Sequence, residues 1–174
     1  ALGWGDHLFQ FFLFRRKEVR RLVDFVRRGG AIVVIGAARS AGGGGRNPFN
    51  DILGPLGAQI RNDRLQLGEE APEEYPANVF VAYPAAPHPV TNGVGPIAFR
   101  SPVSSLALRH PSLGLLRTDQ FVGSPQAGPA PWIAAAGQVG RGKFVAFSSA
   151  PQFNNRGAGN LIFNALGWAG TPVR

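Results

Sequence analysis

The stretch EVRRLVDFVRRGGAIVVIG, residues 18–36, constrains the fold more than any other part of the chain. Its apolar residues repeat at the spacing of one buried helical stripe: Val19, Leu22, Val23 and Val26. Gly29 and Gly30 end this predicted helix. AIVVIG then predicts a strand with no polar face, which is typical of a central strand in a parallel sheet. A helix followed directly by such a strand is half of a β-α-β unit.

The rest of the chain continues with short helices and short strands. RNPFNDILGPLG, residues 46–57, predicts a short helix with Asn47 as its N-cap. Residues 78–83 form an apolar strand pattern, and residues 132–148 predict a hairpin with a glycine-rich connection. A helix over residues 159–170 closes the chain. This order predicts an α/β fold with a mixed sheet.

Composition excludes several classes of protein and of site. A chain of 174 residues with 44% apolar and 16% charged residues is long enough and apolar enough for one folded domain. The absence of cysteine excludes disulfides, thiolate metal sites and a cysteine nucleophile. No apolar run approaches the ~20 residues that a membrane span requires. We expect no cofactor and no metal.

The glycine-rich loop after the first strand does not match a known phosphate-binding pattern. GAARSAGGGGRN lacks the lysine and the hydroxyl residue of a P-loop, and its glycines are too bunched for a dinucleotide fingerprint. Ser40 in this loop lacks the G-x-S-x-G spacing of a nucleophile elbow. A hydrolase that uses Ser40 or Ser149 with an unassigned base is an alternative, and its base would be one of three histidines: His7, His88 and His110.

Charge is concentrated in two places. The acidic residues Glu69, Glu70, Glu73 and Glu74 stand in a proline-flanked polar run, which predicts a solvated loop. The net charge is +8, and the first helix carries a basic patch. Its members are Arg15, Arg16, Lys17, Arg20, Arg21, Arg27 and Arg28. Electrostatic binding of nucleic acid or of an anionic surface through residues 15–28 is therefore a further alternative, although a solvated helix face explains the same pattern.

Three passages resemble a known family. EVRRLVDFVRRGGAIVVIG, HPVTNGV (residues 88–94) and the closing GRGKFVAFSSAPQFNN with GNLIFNALGW are similar to segments of class I glutamine-amidotransferase-like domains. The relatives in question are the non-catalytic domains of intraflagellar-transport and gliding-motility transporter auxiliary proteins. The resemblance implies a flavodoxin-like three-layer α/β sandwich with a mostly parallel sheet and a C-terminal hairpin. It also implies one domain over residues 1–174, within a longer protein.

The resemblance further implies that the catalytic triad is lost. The family's nucleophile position falls near Gly36, Ala37 and Ala38 in this chain. With Pro151 aligned to the family's late motif, the histidine position is Ala150 and the glutamate position is Gln152. None of these residues supplies a nucleophile or a general base. We therefore expect a protein that is not an enzyme.

The sequence thus predicts a non-catalytic binding or scaffolding domain of a larger protein or an envelope-associated assembly. The relatives favour an envelope-associated or extracytoplasmic place over the cytoplasm. We expect a protein partner or the rest of a multidomain chain to bind, with an acidic partner or an anionic surface as the alternative and nucleic acid disfavoured. Crevices in open α/β sheets form at the carboxyl ends of strands. The residues predicted to line such a surface are Arg39, Ser40, Arg46, Asn47, Ser148, Ser149, Gln152, Asn154 and Asn155.

Overall fold

The computed structural model describes residues 15–36, 47–75, 78–152 and 156–173, without the side chain of Arg156. The described helices are α1 (Arg16–Arg27), α2 (Asn50–Leu53) and α3 (Arg156–Gly170). The described strands are β1 (Ala31–Ile35), β2 (Ala58–Ile60), β3 (Gln66–Leu67), β4 (Val79–Pro84), β5 (Ile97–Arg100), β6 (Leu106–Leu108), β7 (Leu113–Thr118), β8 (Val122–Ser124), β9 (Gly128–Pro129), β10 (Trp132–Val139) and β11 (Gly142–Phe147). Short 3₁₀ turns occur at Gly54–Leu56 and Pro89–Thr91.

The helix, the glycine pair and the strand from α1 to β1 follow the sequence prediction, but β1 is an edge strand of the largest sheet and not the central strand that was predicted. The backbone N–H of Arg15 donates to the Glu18 carboxylate at 2.8 Å, which satisfies a free amide at the start of α1. Gly29 adopts φ 114°, a left-handed conformation that ends the helix and favours glycine. Asn47, by contrast, is not the N-cap of α2. Its side chain accepts from the N–H of Phe49 in a turn that precedes the helix, so that prediction was displaced by a few residues.

The predicted fold class, a flavodoxin-like sandwich with a mostly parallel sheet, is wrong. The largest sheet has six strands in the order β1-β11-β10-β7-β4-β5. Within it, only β1 and β11 pair in parallel, and every other described neighbour is antiparallel. Two small antiparallel sheets, β2-β6 and β3-β8-β9, accompany it. The apolar strand pattern misled the prediction because a strand covered on both faces reads the same whether its neighbours run parallel or antiparallel.

The large sheet curls into a half-barrel. β11 and β5 are four places apart in the strand order, yet Pro151, just after β11, forms a bridge with Phe99 of β5. The N–H of Gln152 then donates to the Ala98 carbonyl at 2.9 Å. The chain after β11 therefore joins the two halves of the sheet at this end.

Two hydrophobic cores lie on opposite faces of the largest sheet. Alternate residues of β1 and β11 point to the two sides, as in any strand. Val33 and Phe147 join the core that includes α3, whereas Val34 and Phe144 join the core beneath α1 and α2. Helices thus cover both faces at the β1 edge, and this accounts for the lack of a polar face in β1 and β11.

The predicted C-terminal hairpin is confirmed as β10 and β11. Its turn packs against the end of α1, with the N–H of Arg141 donating to the Arg27 carbonyl at 3.1 Å and that of Lys143 to the Gly30 carbonyl at 3.2 Å. Gly142 is required at this contact because a Cβ there would lie 1.7 Å from the Val26 carbonyl oxygen. The hairpin therefore fixes α1 on the sheet.

Candidate binding site

The surface predicted from the sequence lies at the carboxyl ends of β1 and β11, and the structure describes it in part. Five of its nine predicted residues lie outside the described ranges: Arg39, Ser40, Arg46, Asn154 and Asn155. The described four are Asn47, Ser148, Ser149 and Gln152. Asn47, Ser148 and Ser149 are buried, and Gln152 is half-buried.

Ser148 is part of the packed interior. Its backbone N–H donates to the Ile133 carbonyl at 2.9 Å, and its hydroxyl donates to the same oxygen at 3.3 Å. Beside it, the N–H of Gly36 donates to the Phe147 carbonyl, and a Cβ at Gly36 would meet Ile60 Cδ1 at 2.5 Å. Backbone and side chains of the protein therefore fill the space around Gly36. Ala37 and Ala38, the other two residues near the predicted nucleophile position, lie outside the described ranges.

Two buried hydroxyl groups at this end of the sheet have no hydrogen-bond partner in the described part of the chain. They belong to Ser149, just after β11, and to Thr118, at the end of β7. A buried hydroxyl left unpaired costs roughly 1–3 kcal/mol. Among the buried side chains that the structure describes, these two hydroxyls are the ones that the fold leaves without a partner.

The described histidines lie far from Ser149. The imidazole of His88 packs edge-on against Trp168 with ring centres 4.8 Å apart, and the Lys143 ammonium lies 4.9 Å from the same ring. Lys143 is the second residue of β11, whereas Ser149 is six residues further along the chain, just after the strand ends. At about 3.3 Å per residue, Ser149 lies roughly 20 Å from this cluster. His110 precedes β7, whose other end lies beside Ser149.

Lys143 performs a structural task at the end of α3. Its Nζ donates to the carbonyl oxygens of Trp168 at 3.0 Å and Thr171 at 2.8 Å, and to the Thr171 hydroxyl at 2.7 Å. These bonds satisfy carbonyls at the negative end of the helix. His88 Nδ1 accepts from the N–H of Val90. Burial, and then the charge of Lys143, lower the pKa of His88 below its ordinary 6.5, so the neutral form is favoured.

The acidic run offers no metal centre. Glu69, Glu70, Glu73 and Glu74 are exposed in the turns that follow β3. Among the residues that the structure describes, no group of three or more histidine, aspartate or glutamate side chains is arranged to hold a metal ion. The buried Asp63 carboxylate accepts from the N–H and hydroxyl of Ser105 and from the Ser124 hydroxyl. Asp63 therefore ties three chain segments together.

The basic patch is a solvent-exposed face of α1. All seven of its predicted members are exposed, and none forms an ion pair with a described residue. At 100° per residue, the six basic residues from Arg16 to Arg28 occupy about 140° of the helix circumference. Asp24 is the single acidic residue inside that sector, and Glu18 lies outside it. Val23 and Val26, which are buried, lie on the part of the helix outside this sector.

Two further surfaces were not anticipated from the sequence. The outer face of α3 exposes Phe163 (77%) and Leu166 (58%). A small pocket lies between the β2-β6 sheet and the large sheet, and its lining includes Arg61, Arg117 and Trp132. These three residues are distant in sequence and share no local motif, so the pocket could not be predicted from sequence patterns.

No helix in the described ranges is long and apolar enough to cross a membrane.

Solved structures share this fold. The N-terminal domain of mmIFT52 superposes with a TM-score of 0.66 at 19% identity, over 91% of this chain and 72% of that one. Protein STM3548 from Salmonella typhimurium gives 0.56 at 14% identity, over 97% and 65%. The β-galactosidase from Rahnella sp. R3 gives 0.56 at 14% identity over 88% of this chain, which spans only 21% of that enzyme. The predicted likeness to an intraflagellar-transport domain is confirmed at the level of fold.

Comparison with curated protein sequences gives no match. A family model described as a domain of unknown function matches residues 10–167, which include α1, every described strand and most of α3. A match over this much of the sequence shows the family, and the chain belongs to DUF4350.

Proposed function

We propose that this chain is a non-catalytic binding domain of a larger protein or assembly, and that it engages an acidic protein partner through the basic face of α1. The observation that carries the proposal is the set of seven exposed basic side chains without an ion pair among the described residues. A net charge of +8 attracts an acidic partner over distance, and a face of one sign orients it.

The absence of catalysis is part of the proposal, and three observations support it. The chain has no cysteine. The space around Gly36 is filled by Ile60 and by the backbone after β11. Ser149 is separated by roughly 20 Å from the cluster that contains His88, which disfavours a Ser–His hydrolase built from these two residues. A glutamine-amidotransferase-like origin stays a prediction; a domain of that origin without its triad would suit a scaffold.

An apolar side chain beside the basic residues of α1 favours a protein partner over duplex DNA. Phe25 is 49% exposed and lies next to the basic sector of α1, just outside it. It offers an apolar contact, which a protein surface can match and a phosphate backbone cannot.

The test compares two charge-matched double variants. Arg20→Glu with Arg21→Glu reverses the face of α1, and Arg100→Glu with Arg109→Glu makes the same change of net charge at exposed sites elsewhere. Binding of a labelled oligoglutamate peptide and of a duplex DNA is measured by fluorescence anisotropy at several salt concentrations. We expect the peptide to bind, the α1 variant to lose at least about tenfold in affinity, and the control to lose much less.

Two outcomes would contradict the proposal. Equal loss in both variants would show that net charge alone attracts the peptide. Tighter, steeply salt-dependent binding of the DNA would make the domain a nucleic-acid binder.

A further inference from the structure

The pocket beside Trp132 combines two guanidinium groups with an aromatic wall. It has a volume of about 260 Å³ and lies where the β2-β6 sheet covers the large sheet. Arg61 follows β2, Arg117 lies near the end of β7, and Trp132 begins β10. Leu106 and Leu108 of β6 line the apolar side of the pocket, and residues of the segment 127–131 line a second side.

Contacts within the fold hold Arg117 and Trp132 in place. The Trp132 ring covers Gly114, where a Cβ would lie 2.3 Å from the ring. The Arg117 guanidinium carbon lies 5.5 Å from the centre of the Trp132 ring, and its Nε donates to the Ala130 carbonyl. Ala130 adopts φ 50°, a left-handed conformation that is uncommon for alanine. One wall of the pocket therefore has a fixed geometry before any ligand arrives.

The charges of the pocket are not balanced within the described chain. No acidic residue is among its lining residues, and neither Arg61 nor Arg117 forms an ion pair with a described residue. The buried carboxylate nearest in sequence, Asp63, is already bonded to Ser105 and Ser124. Two cations that line one small pocket repel each other, and an anion between them relieves that repulsion.

We propose that this pocket binds a small organic anion, with its carboxylate or phosphate group held between Arg61 and Arg117 and its apolar part against Trp132. Guanidinium groups suit both oxyanions because their N–H donors match the oxygens in pairs. The volume limits the ligand to about the size of a single substituted ring, below the 300–1,000 Å³ of ordinary small-molecule sites. The pocket lies apart from α1, so this site does not depend on the proposed function.

The test is a titration with phenyl phosphate, benzoate and inorganic phosphate, followed by ¹H–¹⁵N NMR and calorimetry. We expect saturable one-to-one binding of an aromatic anion that shifts the Trp132 indole N–H. The affinities of phenyl phosphate and benzoate, compared with each other, show whether a phosphate or a carboxylate is preferred. The affinity of inorganic phosphate, compared with that of phenyl phosphate, shows how much the aromatic ring contributes to binding. Arg117→Gln and Arg61→Gln should each weaken binding at least about tenfold. Arg141→Gln, the same charge change at the far end of β10, should leave it within about twofold.

The use of two arginine variants keeps the test valid if one of them disturbs the fold. Arg117 also bonds the Ala130 carbonyl, whereas the Arg61 side chain makes no such bond to a described residue, so Arg61→Gln tests the site even if Arg117→Gln alters the loop. Wild-type affinity in Arg61→Gln and Arg117→Gln would overturn the proposal. So would the lack of saturation by either aromatic anion at ~10 mM, a concentration that detects even millimolar dissociation constants. Unchanged oligoglutamate binding in both variants would show that this site and the α1 face are separate.

Discussion

Replacing Gly142 by alanine tests how α1 is held on the sheet. The new Cβ would lie 1.7 Å from the carbonyl oxygen of Val26 and 2.4 Å from that of Gly30. Ordinary contact begins near 3.4 Å, and neither obstacle is the end of a flexible side chain. The hairpin and the last turn of α1 must therefore separate, which strains the hydrogen bond from the Lys143 N–H to the Gly30 carbonyl.

The cost follows from these contacts. Overpacking of a filled region costs about 1–3 kcal/mol, and each weakened backbone hydrogen bond adds about 1 kcal/mol. The lower entropy of the unfolded alanine chain offsets about 0.4–1 kcal/mol. We expect the free energy of unfolding to fall by about 1–4 kcal/mol, which lowers Tm by roughly 2–15 °C in a domain of this size.

Thermal and urea unfolding followed by circular dichroism measure this change. The matched control is Gly167→Ala, on the exposed side of α3, where a Cβ would meet nothing within 4 Å. This control should raise the free energy of unfolding by about 0.5–1 kcal/mol because alanine is the better helix former. If Gly142→Ala unfolds at the wild-type temperature while Gly167→Ala behaves as expected, the close contact between α1 and the hairpin is refuted.

Three further changes test the interior. Lys143→Met removes the cation that bonds Thr171 and should lower Tm; it should also raise the pKa of His88, which an unchanged NMR titration would contradict. The pKa of His88 lies below 6.5 in the folded protein, so as the pH drops the unfolded chain binds the proton first, and the free energy of unfolding should fall as the pH drops through 6.5. His88→Asn should reduce this dependence of the free energy of unfolding on pH, measured by urea unfolding at several pH values. An unchanged dependence would contradict the lowered pKa of His88. Asp63→Asn should cost about 1–3 kcal/mol, since the single amide oxygen cannot accept all three bonds from Ser105 and Ser124 that the two carboxylate oxygens accept; wild-type urea stability would show that the carboxylate is dispensable.

Local pattern predicted the elements of this fold well. The sequence predicted the valine stripe of α1, the glycine pair and the apolar strand that follows, because helix and strand periodicity depend on a few neighbouring residues. The glycines of the connection predicted the hairpin. In the structure, Gly142 is also required because α1 approaches the backbone closely there. Whether neighbouring strands run parallel or antiparallel could not be predicted, because pairing partners such as Leu113 and Ala136 are distant in sequence and meet only in the folded sheet.

The difference between local pattern and long-range packing also explains which candidate sites could be predicted from the sequence. The basic residues of α1 are neighbours in sequence, so their common face could be predicted from helical spacing. Ser148 follows a strand as predicted, but it is buried because the chain continues across to β5. Arg61 and Trp132 come together only because the β2-β6 sheet packs on the large sheet. Only long-range packing creates that pocket.

The most direct test of the proposed function is a map of where an acidic peptide binds. Oligoglutamate is titrated into the ¹⁵N-labelled domain, and amide shifts are recorded at low and at moderate salt. The proposal predicts shifts concentrated in residues 15–28, weakened by salt and absent in the variant with Arg20→Glu and Arg21→Glu. Shifts concentrated around Phe163 on α3, or no shifts at low salt, would contradict the claim that α1 is the binding face.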